Sequence, residues 1–272
     1  MQTLAGTEAV TRQTFWQIGP VGRALFYYLA AVAIAFFLYG VFDRFARYAR
    51  GSEEPLDRLD DLGTRILRMA VLVGSNVGQF DRDRYAGAMH TAAFWGFLVL
   101  FVGTVILAID MDVWTAIFGR PSFFAGDFYR SYSFVMDAFG GLFVVGIGMA
   151  LLARYWFDTP RLHGPHTDLE DDLFVWTLFL LGTGGFLPEG VRLLARGFPS
   201  HETVSFVGLT IAIGLDGIGF SSDLAYAFYP ALWWSHAVLA LAFVAAIPYA
   251  KPVHMLTSFA NVLTRDSKTG RR

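Results

Sequence analysis

The residues of this chain best suited to chemistry are its histidines. Two of them share one stretch, Trp233 to Met255, which reads WWSHAVLALAFVAAIPYAKPVHM. His236 and His254 are eighteen positions apart in a nearly unbroken apolar run. At about 100° and 1.5 Å per residue that separation is five turns and roughly 27 Å of rise, which predicts two imidazoles on one stripe of one helix, near opposite faces of a bilayer. An imidazole in a membrane helix is costly unless it has a partner, and is a functional candidate for that reason. A third histidine, His90, lies at the start of another apolar run, RYAGAMHTAAFWGFLVLFVGTVILAID, at the depth expected for His254. Two imidazoles at one depth on neighbouring helices can bind one iron from opposite sides, as at a haem b site in a helix bundle. Gly87, Gly96 and Gly103 are small positions where a flat macrocycle or another helix could approach. The plainer alternative has His236 bonding a neighbouring helix and His254, beyond Pro248 and Pro252, resting at the interface.

A second iron at the depth of His236, one turn below the belt marked by Trp233 and Trp234, needs its own axial partner. The facing stretch, Phe97 to Ile106, has no histidine. The iron there is then five-coordinate or bound by another group, and His201 is the remaining histidine on that side. Charged groups near the ends of membrane spans are costly too, which singles out Asp110, Glu189 and Arg192. Glu189 and Arg192, three apart on one helix, could equally pair with each other. Asp127 and Arg130 can cap a helix or hold a haem propionate, and Lys251 is a further propionate candidate. His163 and His166, among acidic residues in RLHGPHTDLEDD, have the spacing of a metal site and also the look of a solvated loop.

These groups need elements to carry them, and the composition says which kind. With 55% apolar and 17% aromatic residues and a mean hydropathy of +0.47, the 272-residue chain reads as an all-α integral membrane protein. The net charge of −2 points to no nucleic-acid partner. No cysteine is present, so the chain has no disulfide, no thiol nucleophile and no thiolate ligand, and an iron–sulfur centre would belong to a partner. The polar N-terminal stretch does not read as a signal peptide. Five segments are long enough to span: Leu25 to Phe45, Met89 to Ile109, Ser133 to Ala153, Leu173 to Leu194 and Tyr229 to Pro248. A sixth run, Val204 to Leu215, is too short to cross and reads as re-entrant or interfacial. Asp61 to Val77 has the period of an amphipathic helix, a solvated face or a docking platform. Fifteen Lys and Arg fall on one side of the spans and six on the other, which predicts the N-terminus outside and the C-terminus in the cytoplasm. The expected organisation is an outer segment 1–24, a five-helix haem-binding bundle 25–255 with a cytoplasmic loop 46–87, and a cytoplasmic tail 256–272, multi-pass in the cell membrane. A small transporter would need a continuous polar path, which the spans lack apart from the histidines.

The pieces AGAMHTAAFWGFLVLFVGT, AGDFYRSYSFVMDAFG, GTGGFLPEGVRLL and ALWWSHAVLALAFVAAIPYAKPVHMLTSFANVL resemble the membrane domain of the nitrate reductase gamma-subunit superfamily, in particular its heterodisulfide-reductase-related branch. TFWQIGPVGRALFYYLAAVAIAFFLYGVF resembles the entry to that family's first helix. The resemblance implies a b-type cytochrome exchanging electrons between membrane menaquinone or ubiquinone and a cytoplasmic iron–sulfur subunit, with Asp110 and Glu189 as proton-handling candidates at the quinone site and Arg192 orienting a quinone carbonyl. It also implies His90, His236 and His254 as haem ligands, with Leu100 standing where a fourth histidine is expected. In many such proteins an iron–sulfur domain follows the last helix, which here implies a separate subunit or a longer parent chain. The alternatives are a haem-free membrane anchor that recruits a cytoplasmic complex and a true nitrate reductase gamma subunit.

Overall fold

In a computed structural model, residues 10–50, 60–157, 159, 162 and 169–265 are described, and among them helix is the only regular structure beyond a single antiparallel bridge, Thr11 with Ala125. Five helices are long and apolar enough to cross a membrane: α1 (Gly19–Ala49), α4 (Arg84–Ala108), α5 (Gly126–Tyr155), α6 (Leu169–Ala195) and α8 (Ser222–Ala246). All five expected spans are matched by helices; α8 begins seven residues before its expected start, Tyr229, and stops at Ala246, short of the expected Pro248. Between and after them lie α2 (Leu62–Ser75), α3 (Val77–Phe80), α7 (Phe206–Gly217) and α9 (His254–Leu263). The twelve residues of α7 give it about 18 Å of rise, short of a bilayer's hydrocarbon. Helix α4 does not stop at its apolar end: a π-helical stretch, Ile109–Ile117, continues it and carries Asp110.

The two-histidine helix of the sequence reading does not form. Helix α8 ends at Ala246, and after a turn a short 3₁₀ segment, Lys251–Val253, leads into α9, whose first residue is His254. Proline is the cause: Pro248 and Pro252 offer no backbone N–H, and a proline ring inside a helix meets the carbonyl four residues back. The eighteen-residue interval therefore measures neither a stripe nor a rise.

The chain is organised as two compact units. The first is drawn from residues 1–23, 92–145 and 180–236. Its core joins α6, α7 and α8 through Val191, Leu193, Leu194, Ala212, Ala225 and Tyr229, with Ile18 from the N-terminal segment. Gly190 lets α7 come close, since a Cβ there would lie 2.6 Å from Ile211 Cγ2. A second cluster is Phe124, Tyr129 and Tyr132.

The second unit is drawn from 24–91, 146–179 and 237–272. Here α2, the expected amphipathic helix, packs on α9. Arg65 of α2 donates from Nη1 to the carbonyls of Leu263 (3.2 Å) and Arg265 (2.7 Å), satisfying acceptors at the end of α9. The break after α8 is held by α1: Arg44 Nε donates to the Pro248 carbonyl at 3.0 Å, and the Tyr249 hydroxyl donates to that of Phe36 at 2.8 Å. Gly40 makes this seat possible, because a Cβ would stand 2.6 Å from both Pro248 Cγ and Tyr249 Cζ. Replacing Gly40 with leucine should therefore overpack the seat and cost about 1–3 kcal/mol, read as a lower melting temperature in detergent, whereas Gly63→Leu, with nothing within 4 Å, should not.

Candidate functional site

In the second unit the structure brings two of the expected histidines together. Asn76, between α2 and α3, has φ +51° and ψ +23°, a left-handed conformation that asparagine tolerates better than most residues. It is buried, and its Oδ1 lies 2.9 Å from Nδ1 of His90 on α4. An amide oxygen only accepts, so Nδ1 carries the proton and Nε2 the lone pair. His254 is oriented in the same way: its Nδ1 donates to the Lys251 carbonyl at 2.9 Å, and Phe174 meets its ring edge-on at 6.0 Å. The two imidazoles are close enough for the charge of one to be felt at the other. Two rings whose Nδ1–H groups are tied to oxygens present the same donor atom, Nε2, which is how ligating histidines are usually oriented. Lys251 is otherwise engaged: its Nζ pairs with Asp171 at 2.7 Å and its backbone N–H donates to Glu170 at 2.8 Å.

The other two histidines lie in the first unit and are not brought together. His236 on α8 faces α6, where a Cβ on Gly184 would stand 3.5 Å from its Nδ1 and one on Gly185 3.5 Å from its Cε1. Its Nδ1 is buried with no hydrogen-bond partner. The paired glycines thus let the His236 ring lie against α6 with one ring nitrogen unused. His201 instead lies buried beside Tyr129, with Nε2 3.6 Å from the Glu202 carboxylate.

The charged candidates separate as well. Arg192 does not pair with Glu189. Its guanidinium takes both oxygens of Glu202, one at 2.6 Å, and Arg196 reaches the same carboxylate at 2.7 Å. Glu202 has no exposed side-chain surface. Burial works to raise its carboxyl pKa, but the hydrogen bonds and charge of Arg192, then the charge of Arg196, outweigh it and hold the group below its ordinary range. Burial lowers the His201 pKa, against the pull of Glu202. Asp110 is buried and accepts from Ser122 Oγ (2.6 Å) and Phe123 N–H (2.8 Å), so it also closes the loop before α5. It borders a half-open cavity of about 480 Å³ beneath the N-terminal segment, with Arg12, Phe15, Trp16 and Arg23 among its walls. Asp127 is exposed in the first turn of α5 and pairs with Arg130 at 3.2 Å.

Glu189 has a partner the sequence reading missed. Asp137, buried on α5, is hydrogen-bonded to the Glu189 side chain and accepts from Val207 N–H at 2.5 Å and from Gly208 N–H, in the first turn of α7. The signal was available, since an aspartate within an apolar span is expensive by the same argument that singled out the histidines. His163 and His166 lie outside the described residues, among which no cluster of three or more His, Asp or Glu is arranged to hold a metal ion.

Compared with known proteins, the chain is 28% identical over 249 residues, 89% of its length, to an EtfAB:quinone oxidoreductase of Syntrophomonas wolfei, of which it covers 33%. It is also 27% identical over 250 residues, 88% of its length, to the Probable iron-sulfur-binding oxidoreductase FadF of Bacillus subtilis, of which it covers 32%. It is similar to oxidoreductases. The chain spans about a third of the length of these curated relatives. Neither is named as a nitrate reductase gamma subunit. No family model matches the chain, and no solved structure does.

The Glu202 cluster sets a pH dependence. A carboxylate with a depressed folded pKa stabilises the fold above its ordinary value, and that contribution is lost as pH falls through the folded value. A histidine with a lowered pKa acts in the same direction, its contribution fading below about pH 6.5. Melting temperature in detergent should therefore fall first below pH 6.5 and again at lower pH. Glu202→Ala should cost about 3–5 kcal/mol at neutral pH, because it leaves two guanidiniums without their shared carboxylate. Glu202→Gln should remove the lower of the two acid transitions.

Proposed function

We propose that the chain is the membrane-embedded b-type cytochrome part of a quinone-linked oxidoreductase, passing electrons between membrane quinone and a cytoplasmic iron–sulfur partner. The observation that carries the reading is the His90–His254 pair, two imidazoles within electrostatic reach, each oriented through Nδ1 to leave Nε2 as the donor. These residues fit a haem iron, for which two nitrogen donors suffice, so a larger cluster of metal-binding side chains is not required. A haem b bound there would supply one-electron transfer; the chain would supply the ligands and their orientation. The relatives support the rest of the reading in outline: by their names one acts on quinone and the other binds an iron–sulfur centre. The motifs of the gamma-subunit superfamily and its heterodisulfide-reductase-related branch agree with it.

His236 is our ligand for a second haem. Its buried, partnerless Nδ1 supports that reading, and no second protein ligand is assigned. We read His201 as part of the Arg192–Glu202 cluster and not as an axial ligand. Quinone reaction belongs with the first unit, where Asp110 borders the cavity and Glu189 and Asp137 offer exchangeable protons, while Arg192 acts through Glu202 as a structural cation. The excess of basic residues in the loop after α1 and in the tail orients the N-terminus outside and the C-terminus in the cytoplasm.

Purified chain reconstituted with haem should give a b-type pyridine haemochrome spectrum. His90→Ala or His254→Ala should remove a low-spin component that His236→Ala leaves in place; survival of that component in both variants would overturn the pairing. No bound haem in the wild type would leave a membrane anchor as the reading. Asn76→Leu, which removes the acceptor that orients His90, should weaken haem binding about 10- to 100-fold, read by titration against apo-protein, with the helical circular dichroism unchanged.

A further inference from the structure

The Asp137–Glu189 contact has a consequence that the electron-carrier reading does not require. Two ionised carboxylates have only acceptor atoms, so a hydrogen bond between them needs a proton on one. Asp137 Oδ2 already accepts from the Val207 N–H of α7, and the Gly208 N–H donates to the same carboxyl. The Glu189 chain lies flat against Gly208, where a Cβ would stand 2.7 Å from its Cγ and 3.1 Å from its Oε2. The glycine is therefore what lets both acids converge on one helix turn, whose N–H groups favour a negative charge there. That arrangement suits a pair holding one proton and one charge.

The groups facing the pair come from three helices. Tyr132 on α5, Arg192 on α6 and Tyr229 on α8 each lie within electrostatic reach of Glu189. Arg192 is bound to Glu202, whose charge it balances. The guanidinium of Arg12, on the wall of the cavity beside Asp110, sits 5.4 Å above the Tyr132 ring. Tyr132 thus has Arg12 of the cavity wall as one neighbour and Glu189 within electrostatic reach.

Resting on the quinone reading above, we propose that Asp137 and Glu189 form a shared-proton pair that serves as the proton-exchanging group of the quinone reaction. Oxidation of a quinol releases two electrons and two protons. The pair would take one proton, passing from one shared proton to two, and water the other; a haem b held by the histidines would supply the one-electron acceptor for the two electrons. Quinone reduction runs the same steps backwards. Gly208 is a positioning residue for the pair.

The test uses the full chain in lipid nanodiscs. Infrared spectra at neutral pH should show a protonated carboxylic-acid band that shifts in heavy water and is lost in both Asp137→Asn and Glu189→Gln, since either change leaves a single carboxylate with an amide donor. No difference between wild type and both variants would overturn the shared proton. The second measurement is the rate at which a soluble short-chain quinol reduces the bound haem. It should fall about 100-fold in both variants and in Gly208→Ala, which displaces Glu189 but removes no acid, while the haem spectrum stays that of the wild type. Unchanged rates with an unchanged spectrum would overturn the catalytic role and leave the haem assignment standing. Absence of haem from the wild type would sink the electron-carrier reading and the quinone role together, and the infrared band would then decide the proton alone.

Discussion

Along an apolar helix there is no water to satisfy a polar group, so every imidazole, carboxylate and guanidinium placed there has to be answered from within the chain. This constraint explains the polar contacts of the structure better than any appeal to general stability. Glu202 collects two arginines, Asp137 collects a carboxyl and two backbone N–H groups, and Asp110 collects a hydroxyl and an amide. Breaking up any of these sets leaves a buried group unanswered, at a cost larger than the bond itself.

Against that background the exceptions are informative. Nδ1 of His236 and Nδ2 of Asn76 are buried without partners, and they belong to residues at the two histidine sites. Among the described residues the other buried polar side-chain atoms without a partner are Gln17 Nε2, Thr91 Oγ1, His201 Nε2 and Ser205 Oγ. The glycines at 184 and 185 belong to the His236 site as well, since each withholds a side chain at the ring.

The histidines and the five spans could be read from residue types alone, because an apolar run and an imidazole inside it are both signals of burial cost. What could not be read was how distant segments meet. Asn76 looks like any loop asparagine until α2 and α3 carry it to His90. Glu189 and Arg192 have the spacing of a helical pair, yet the chain turns back after α6 and brings Glu202 to Arg192 instead. Helix spacing sees only its own helix. The break after α8 is written in Pro248 and Pro252, but the apolar run that continues past Pro248 masks it, so spacing alone puts His254 on the helix before its own.

Because α9 is a separate helix, the position of His254 follows from its packing on α2 and from the clasp of α1 around Pro248 and Tyr249, and the slope of α8 has little say in it. A thicker or thinner lipid environment is commonly accommodated by helices changing tilt. With a joint after Ala246, a change in the tilt of α8 is not carried rigidly into α9 and His254.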